Sequence, residues 1–250
     1  MRAELKKLTS LRSTWVYVVL LTGSLYGPAV LMSFLNSDPE ATFGWGDTTL
    51  GGMIFLLVLL IFAASSTAGD INDRMVAHSF LTQRRRSQWL LAKAALIVIV
   101  AEVSYWIGIA ISAVVLHFSL EGKWTGGDMY DLWIYALFLP VYALMAVGLA
   151  GLTRSKIMGS GIPMVLFLVI EPLLAAAAQH LEWVKYIYYA MPGTRLSDLT
   201  QWHALEAQGD DVLDAVGLMT TPAQSAIVIL AWGALLFGVA ILANNRRDTR

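Results

Sequence analysis

Hydrophobic residues in this chain come in long continuous runs, not in alternation. Six runs stand out: Trp15–Leu35, Gly51–Ala68, Trp89–Leu120, Leu132–Leu152, Met158–Ala178 and Ala223–Ala243. Each approaches or exceeds the roughly 20 residues that carry a helix across about 30 Å of hydrocarbon. A transmembrane barrel shows short segments of alternating polarity instead, so the pattern predicts spanning helices. Pro28, Pro140, Pro163 and Pro172 fall inside three of the runs. Within a membrane this is tolerated, because neighbouring helices satisfy the freed carbonyls. The sixth run has a clear start, with Thr221 as N-cap, Pro222 at the first helical position and Gln224 completing a capping box. The first run is longer than the apolar core of a signal peptide and no small-x-small site follows it, so it reads as a span.

Two polar segments have patterns of their own. Met1–Ser13 places Leu5, Leu8 and Leu11 at spacings of three, with Lys6, Lys7 and Arg12 on other faces. That predicts an amphipathic helix lying in the membrane interface ahead of the first span. Between the fifth and sixth runs, residues 179–221 carry Trp183, Tyr186, Tyr188, Tyr189 and Trp202. Such aromatics predict a loop resting partly at the interface, with the acidic tip Gly209-Asp210-Asp211 in water.

Composition agrees with the runs. Hydrophobic residues make up 57% of the chain and charged ones 14%, with a mean hydropathy of +0.63. Soluble domains carry about 25% charged residues, so the chain reads as a membrane protein, and disorder is excluded. The expectation is an all-α fold in which residues 1–250 form a single transmembrane domain. There is no cysteine, which removes disulfide scaffolds, thiol catalysis and cysteine-based metal sites. A net charge of −1 gives no footing for nucleic acid.

The distribution of charge adds orientation. Of the 17 Lys and Arg residues, 14 fall on one side of the predicted topology; only Lys123, Lys185 and Arg195 fall on the other. The positive-inside rule then puts both termini in the cytoplasm. The connection between the second and third spans, residues 68–86, is too polar to span and too apolar for a free loop. Ile71, Met75 and His78–Phe80 recur at helical spacing, with Asp70, Asp73 and Arg74 near the start. This predicts a short helix along the inner surface, either an ordinary interfacial helix or one offering knobs to a cytoplasmic partner.

The run Gly69-Asp70 … Phe80-Leu81-Thr82 … Arg85-Arg86-Ser87 … Leu91-Ala92-Lys93 resembles the ABC-2 type transporter permeases, where a "GEYRHGT…LLATPRR…AAK" pattern joins spans two and three. Asp70 takes the place of the family glutamate, Arg85-Arg86 of its basic pair, and Lys93 closes the motif. Arg74 stands where that family usually has glycine and Arg84 where it has proline. The opening Glu4-Leu5-Lys6-Lys7-Leu8 … Arg12-Ser13-Thr14-Trp15 is similar to the family's entry helix. Tyr189-Ala190-Met191-Pro192-Gly193 resembles its turn before the last span.

The resemblance implies the transmembrane subunit of a bacterial plasma-membrane ABC exporter. Such a subunit pairs with a second permease copy or paralogue and with cytoplasmic ATPase subunits, which bind ATP and Mg. It also implies that the inner connection acts as a coupling helix, with Asp70, Ile71, Asp73, Arg74, Met75, His78, Phe80 and Leu81 as contact residues. The chain itself has no G-x-x-x-x-G-K-[ST] motif, so no cofactor and no enzymatic role are expected of it. An amphiphilic drug, antimicrobial peptide or lipid-like cargo would suit spans with few fixed charges. The alternative from another class is a non-transporting immunity or assembly factor that acts by binding a partner.

Glu102 and Glu171 are the only carboxylates inside the runs, each 13 residues past its start at Trp89 or Met158. At 1.5 Å per residue both sit about 20 Å in, with no intramembrane Lys or Arg expected as partner. An ionisable group at such depth usually faces a cavity or a partner. Both are therefore candidate cavity residues. The plainer readings are that Glu102 bonds between helices and Glu171 reaches the outer interface. An intramembrane enzyme built on the pair ranks last, for want of a nucleophile. His78, His117, His180 and His203 stand in no metal-binding spacing. The small residues Ala63–Ala68, Gly148–Gly151, Gly159 and Gly161 predict close helix approach, within one subunit or between two.

Overall fold

The computed structural model describes residues 12–36, 40–72, 87–118, 123–206 and 221–246. Of these, 87% are helical, and six segments are helices long and apolar enough to cross a membrane. In chain order they begin with α1 (Arg12–Leu35), α2 (Gly52–Asn72), α3 (Ser87–His117) and α4 (Tyr130–Thr153). The fifth span is composite. Helix α5 (Lys156–Val165) passes through a π-turn at Leu166–Ile170 into α6 (Glu171–Ala178). Two short helices follow, α7 (Glu182–Tyr189) and α8 (Pro192–Glu206), and then the last span, α9 (Pro222–Arg246). Every apolar run becomes a helix, with ends shifted by no more than four residues.

Local chemistry sets several of these boundaries. Arg154 adopts a left-handed conformation (φ 54°) that closes α4, its N–H donating to Ala150 O. Ser155 then caps α5 by accepting from Met158 N at 3.3 Å. The capping box of α9 forms as expected: Thr221 N donates to Gln224 Oε1 at 3.2 Å, and Gln224 N to Thr221 Oγ1 at 3.4 Å. In the fifth span Pro172 has no N–H to give, and Glu171 N donates to Leu166 O, five residues back.

Helices α2 and α4 form the centre of the bundle, 61% and 56% buried over their apolar windows, against 22% for the fifth span and 17% for α9. Phe55, Leu59 and Phe62 of α2 meet Tyr142, Met145 and Val147 of α4 in one continuous core, with Leu21, Leu25, Ile97, Tyr105 and Ile229 closing around them. Close packing, more than apolar burial, holds helices together in lipid. Gly159 illustrates this, since a Cβ there would lie 2.7 Å from Ala150 Cβ and 3.1 Å from Ala64 Cβ. The small-residue cluster therefore packs α5 between α2 and α4 within this subunit, while Gly161 faces open space.

Two features depart from the expected architecture. Strand β1 (Thr42–Gly44) pairs in parallel with β2 (Lys123–Gly126), joining the α1–α2 loop to the α3–α4 loop. We call this the ribbon end of the bundle. Within segment 179–221, expected to rest partly at the interface, the described residues form the two short helices α7 and α8 at this same end. The predicted amphipathic helix at Met1–Ser13 lies almost wholly outside the described residues, as does the acidic tip at 209–211.

Candidate functional site

At the opposite end, which we call the basic end, α2 continues four residues beyond its apolar run and carries Asp70 and Ile71 in its last turn. Asp70 is not the exposed knob expected of a coupling contact. Its Oδ2 accepts from Lys93 Nζ of α3 at 2.8 Å, and both side chains are buried. The reason is geometric: with Asp70 still inside the helical span, its carboxylate faces the neighbouring helix rather than water. Ile71 is half-buried and packs on the core. Asp73, Arg74, Met75, His78, Phe80 and Leu81 lie outside the described residues. The ion pair thus clamps the two helices from which the 73–86 connection departs.

At the ribbon end the structure shows a site that the sequence did not reveal. The turn between α7 and α8 dips into the bundle. Three spans hold it there, each through one polar side chain. Tyr142 Oη of α4 donates to Pro192 O at 2.7 Å, and Trp232 Nε1 of α9 donates to Ala190 O at 2.7 Å. Glu171 of the fifth span accepts from Gly193 N at 3.0 Å, from Thr194 N, and from Thr194 Oγ1 at 3.0 Å. Trp232 stands ten residues into α9, Tyr142 twelve into α4 and Glu171 seven before the end of α6, so the residues that hold the turn lie roughly 10–18 Å along the helix axes from the span ends. Irregular backbone at such depth is stable only when its polar groups are satisfied by protein. These three side chains provide that.

Glu171 lines a small cavity and is held there by backbone N–H groups. It is 5% exposed and sits at the N-terminus of α8, where backbone N–H groups and the helix dipole favour an anion. The Arg195 guanidinium, near enough to act on Glu171 electrostatically, forms its ion pair elsewhere. Arg195, placed by the sequence on the outer side, is fully buried. It pairs with Asp198 at 2.8 Å and lies 5.1 Å from the centre of the Tyr189 ring. Gly193 fits because a Cβ there would lie 2.6 Å from Glu171 Oε2.

A cavity of about 160 Å³ adjoins this turn, lined by Met53, Phe167, Glu171, Pro172, Ala175, Tyr188, Gly193, Thr194 and Ser197. Burial raises the Tyr188 phenol above its ordinary value, so it stays a donor at neutral pH, and its side chain hydrogen-bonds Thr194. A second cavity of about 220 Å³ lies between the ribbon and α8, with Trp45, Asp128, Tyr130, Asp131 and His203 in its wall. There His203 Nε2 meets Asp128 Oδ2 at 2.8 Å and stacks on Tyr130, tying α8 to the start of α4. Both cavities are smaller than the roughly 300–1,000 Å³ of sites for drug-sized ligands.

Glu102 is placed apart from all this. It is half-buried on α3, hydrogen-bonds the Trp106 side chain, and buries its Oε1 with no hydrogen-bond partner among the described residues. It shares no bond with Glu171. Also among the described residues, no group of three His, Asp or Glu could hold a metal ion.

No protein-family model, curated protein or solved structure matches this chain. Its reading rests on its own residues. Asp70 and Glu171 could be singled out from sequence, but their partners could not. Lys93 lies 23 positions from Asp70, and Gly193 lies 22 from Glu171. A partial signal existed in Met191-Pro192-Gly193, since proline at a first helical position marks an N-terminus able to receive an anion.

Proposed function

We propose that the chain is the permease subunit of an ATP-driven ABC exporter, working as a dimer in the bacterial plasma membrane with separate ATPase subunits. The observation that carries this reading is the resemblance over Gly69–Lys93, together with six apolar helices in one domain. The buried Asp70–Lys93 pair supports it, because a segment that transmits force needs a rigid base. In this reading the 73–86 connection seats on the ATPase, with Asp73, Arg74, Met75, His78, Phe80 and Leu81 as contacts. Asp70 and Ile71 fix its departure from the membrane. The cargo is an amphiphilic drug, peptide or lipid-like molecule.

One observation favours the runner-up, an immunity or assembly factor that acts by binding. The two cavities at the ribbon end are too small for such a cargo in the conformation described. A single experiment separates the two. The reading frames beside its gene are searched for a Walker-motif ATPase, which is co-expressed with the chain, co-purified, and assayed for ATP hydrolysis in nanodiscs. Absence of such a frame also counts against the exporter reading. The exporter reading expects a stable complex whose hydrolysis rises above that of the ATPase alone and falls at least threefold with Arg74→Ala. Purification of the chain alone, with no effect of Arg74→Ala, would overturn it.

A further inference from the structure

We propose that the cavity between the ribbon and α8 is a binding site for a small organic cation bearing a substituted ammonium group. It lies at the ribbon end, apart from the 73–86 connection and the Asp70–Lys93 pair. The inference therefore goes beyond the exporter reading and does not depend on it. Asp128 and His203 at its rim are exposed, so a solute reaches the cavity from water without any rearrangement.

Three observations select the ligand. The first is an unengaged carboxylate. Asp131, half-buried in the first turn of α4, stands in the wall, and among the described residues no hydrogen bond or ion pair holds its side chain. His203 acts on it from a distance, but that imidazole is already held by Asp128 at 2.8 Å and by stacking on Tyr130. A half-buried carboxylate without a donor gains from a cation that enters beside it. The second is the aromatic lining. The Trp45 and Tyr130 rings share the wall with Asp131, and each is braced by a neighbouring ring, Trp45 by Trp124 and Tyr130 by His203. Rings and a carboxylate together recognise a substituted ammonium, whose charge is spread over apolar carbons.

The third observation is space. Gly46 does not take a positive φ, and a Cβ there would meet only Asp131 Oδ2, at 3.8 Å. Neither backbone nor crowding requires glycine at this position, yet its missing side chain leaves room before the carboxylate. The cavity of about 220 Å³ holds a group the size of choline. A metal ion fits poorly, since it needs several ligands at once. Among the described residues no three His, Asp or Glu gather to supply them.

The test adds choline to the full-length protein in maltoside micelles, which contain no ammonium group, and reads binding by equilibrium dialysis. Saturable binding is expected, and the neutral carbon isostere of choline, dimethylbutanol, should not displace it. Asp131→Asn, which keeps the shape but removes the charge, is expected to weaken binding about tenfold or more. Gly46→Leu, which keeps the charge but fills the space, is expected to abolish it. Circular dichroism and the thermal midpoint of each variant check that the bundle is intact. Absence of saturable binding overturns the proposal, as does undiminished binding by Asp131→Asn or displacement by the neutral isostere. Should Asp131→Asn fail to accumulate, Gly46→Leu decides, with unchanged choline binding as the overturning result. A second arm tells a lipid headgroup from a free solute, and either result supports the site. Weaker choline binding in phosphatidylcholine nanodiscs than in phosphatidylglycerol nanodiscs assigns the cavity to the headgroup; equal binding assigns it to a free ammonium solute. None of these measurements needs an ATPase, so failure here leaves the exporter reading untouched.

Discussion

Lys93 and Asp70 show how strongly one contact can constrain a membrane bundle. Their ammonium and carboxylate meet at 2.8 Å with almost no solvent exposure. A buried ion pair is costly to desolvate, yet breaking it by removing one partner is costlier, about 3–5 kcal/mol, because the other charge is left stranded. Lys93→Met is therefore expected to lower stability by about that amount. The double variant Asp70→Leu with Lys93→Met should recover most of the loss, since it leaves no orphan charge. Thermal unfolding in detergent measures both. If the double variant is no more stable than the single one, the pair is not acting as a closed unit and both charges have other obligations. Glu171 behaves differently at this scale. Its acceptors are filled mainly by backbone N–H groups, so its role is to anchor a helix rather than to balance one neighbouring charge.

At the scale of elements, the six spans were legible in the sequence because length and continuous apolarity are local properties. The capping box at Thr221 and Gln224 was legible for the same reason. The ribbon was not. Thr42-Phe43-Gly44 is three residues long and has no alternation to detect, and its partner Lys123–Gly126 lies some eighty positions away. The ribbon forms because Gly126 and Gly127 take positive φ values of 80° and 65°. That turn presents Gly126 O to Trp45 N at 2.7 Å. Trp45 and Trp124 then pack edge to face at 5.3 Å, covering the junction. Gly126→Ala forces a side chain into the left-handed region and is expected to cost about 1–2 kcal/mol locally. Hydrogen exchange at the Trp45 and Lys123 amides should then quicken about tenfold or more, while α2 and α4 stay protected. Unchanged exchange at those two amides would mean that the ribbon is held by its aromatic cover and not by its backbone. The re-entrant turn escaped the sequence for a related reason. Aromatic residues in 179–221 carry the same signature whether they rest on a membrane surface or plug a bundle. Trp232, Tyr142 and Glu171, scattered over ninety positions, decide which.

For the whole molecule, the decisive asymmetry is that of charge. The structure gathers Lys93, Arg154, Lys156 and Arg246 at the end where α2 and α3 are joined by the 73–86 connection. Lys123, Lys185 and Arg195 lie at the ribbon end, where Arg195 is buried and so contributes no free surface charge. Lys93 is buried as well, so burial removes one cation from each end and leaves the imbalance of the sequence in place, to which the positive-inside rule applies. In the proposed reading it orients the basic end to the cytoplasm and the ribbon end to the outside. Because the chain has no cysteine, single substitutions can test this without a background. In intact cells an impermeant thiol reagent is expected to label Lys123→Cys and Lys185→Cys promptly. Arg246→Cys should be labelled only after the membrane is permeabilised. The reverse pattern would place the 73–86 connection outside, beyond the reach of any cytoplasmic ATPase, and the exporter reading would fail with it. The ties at Glu171 would survive such a reversal, since its hydrogen bonds do not depend on which compartment the turn faces. Topology and the anchoring of the turn are therefore separable, and only the first decides what motor can reach the protein.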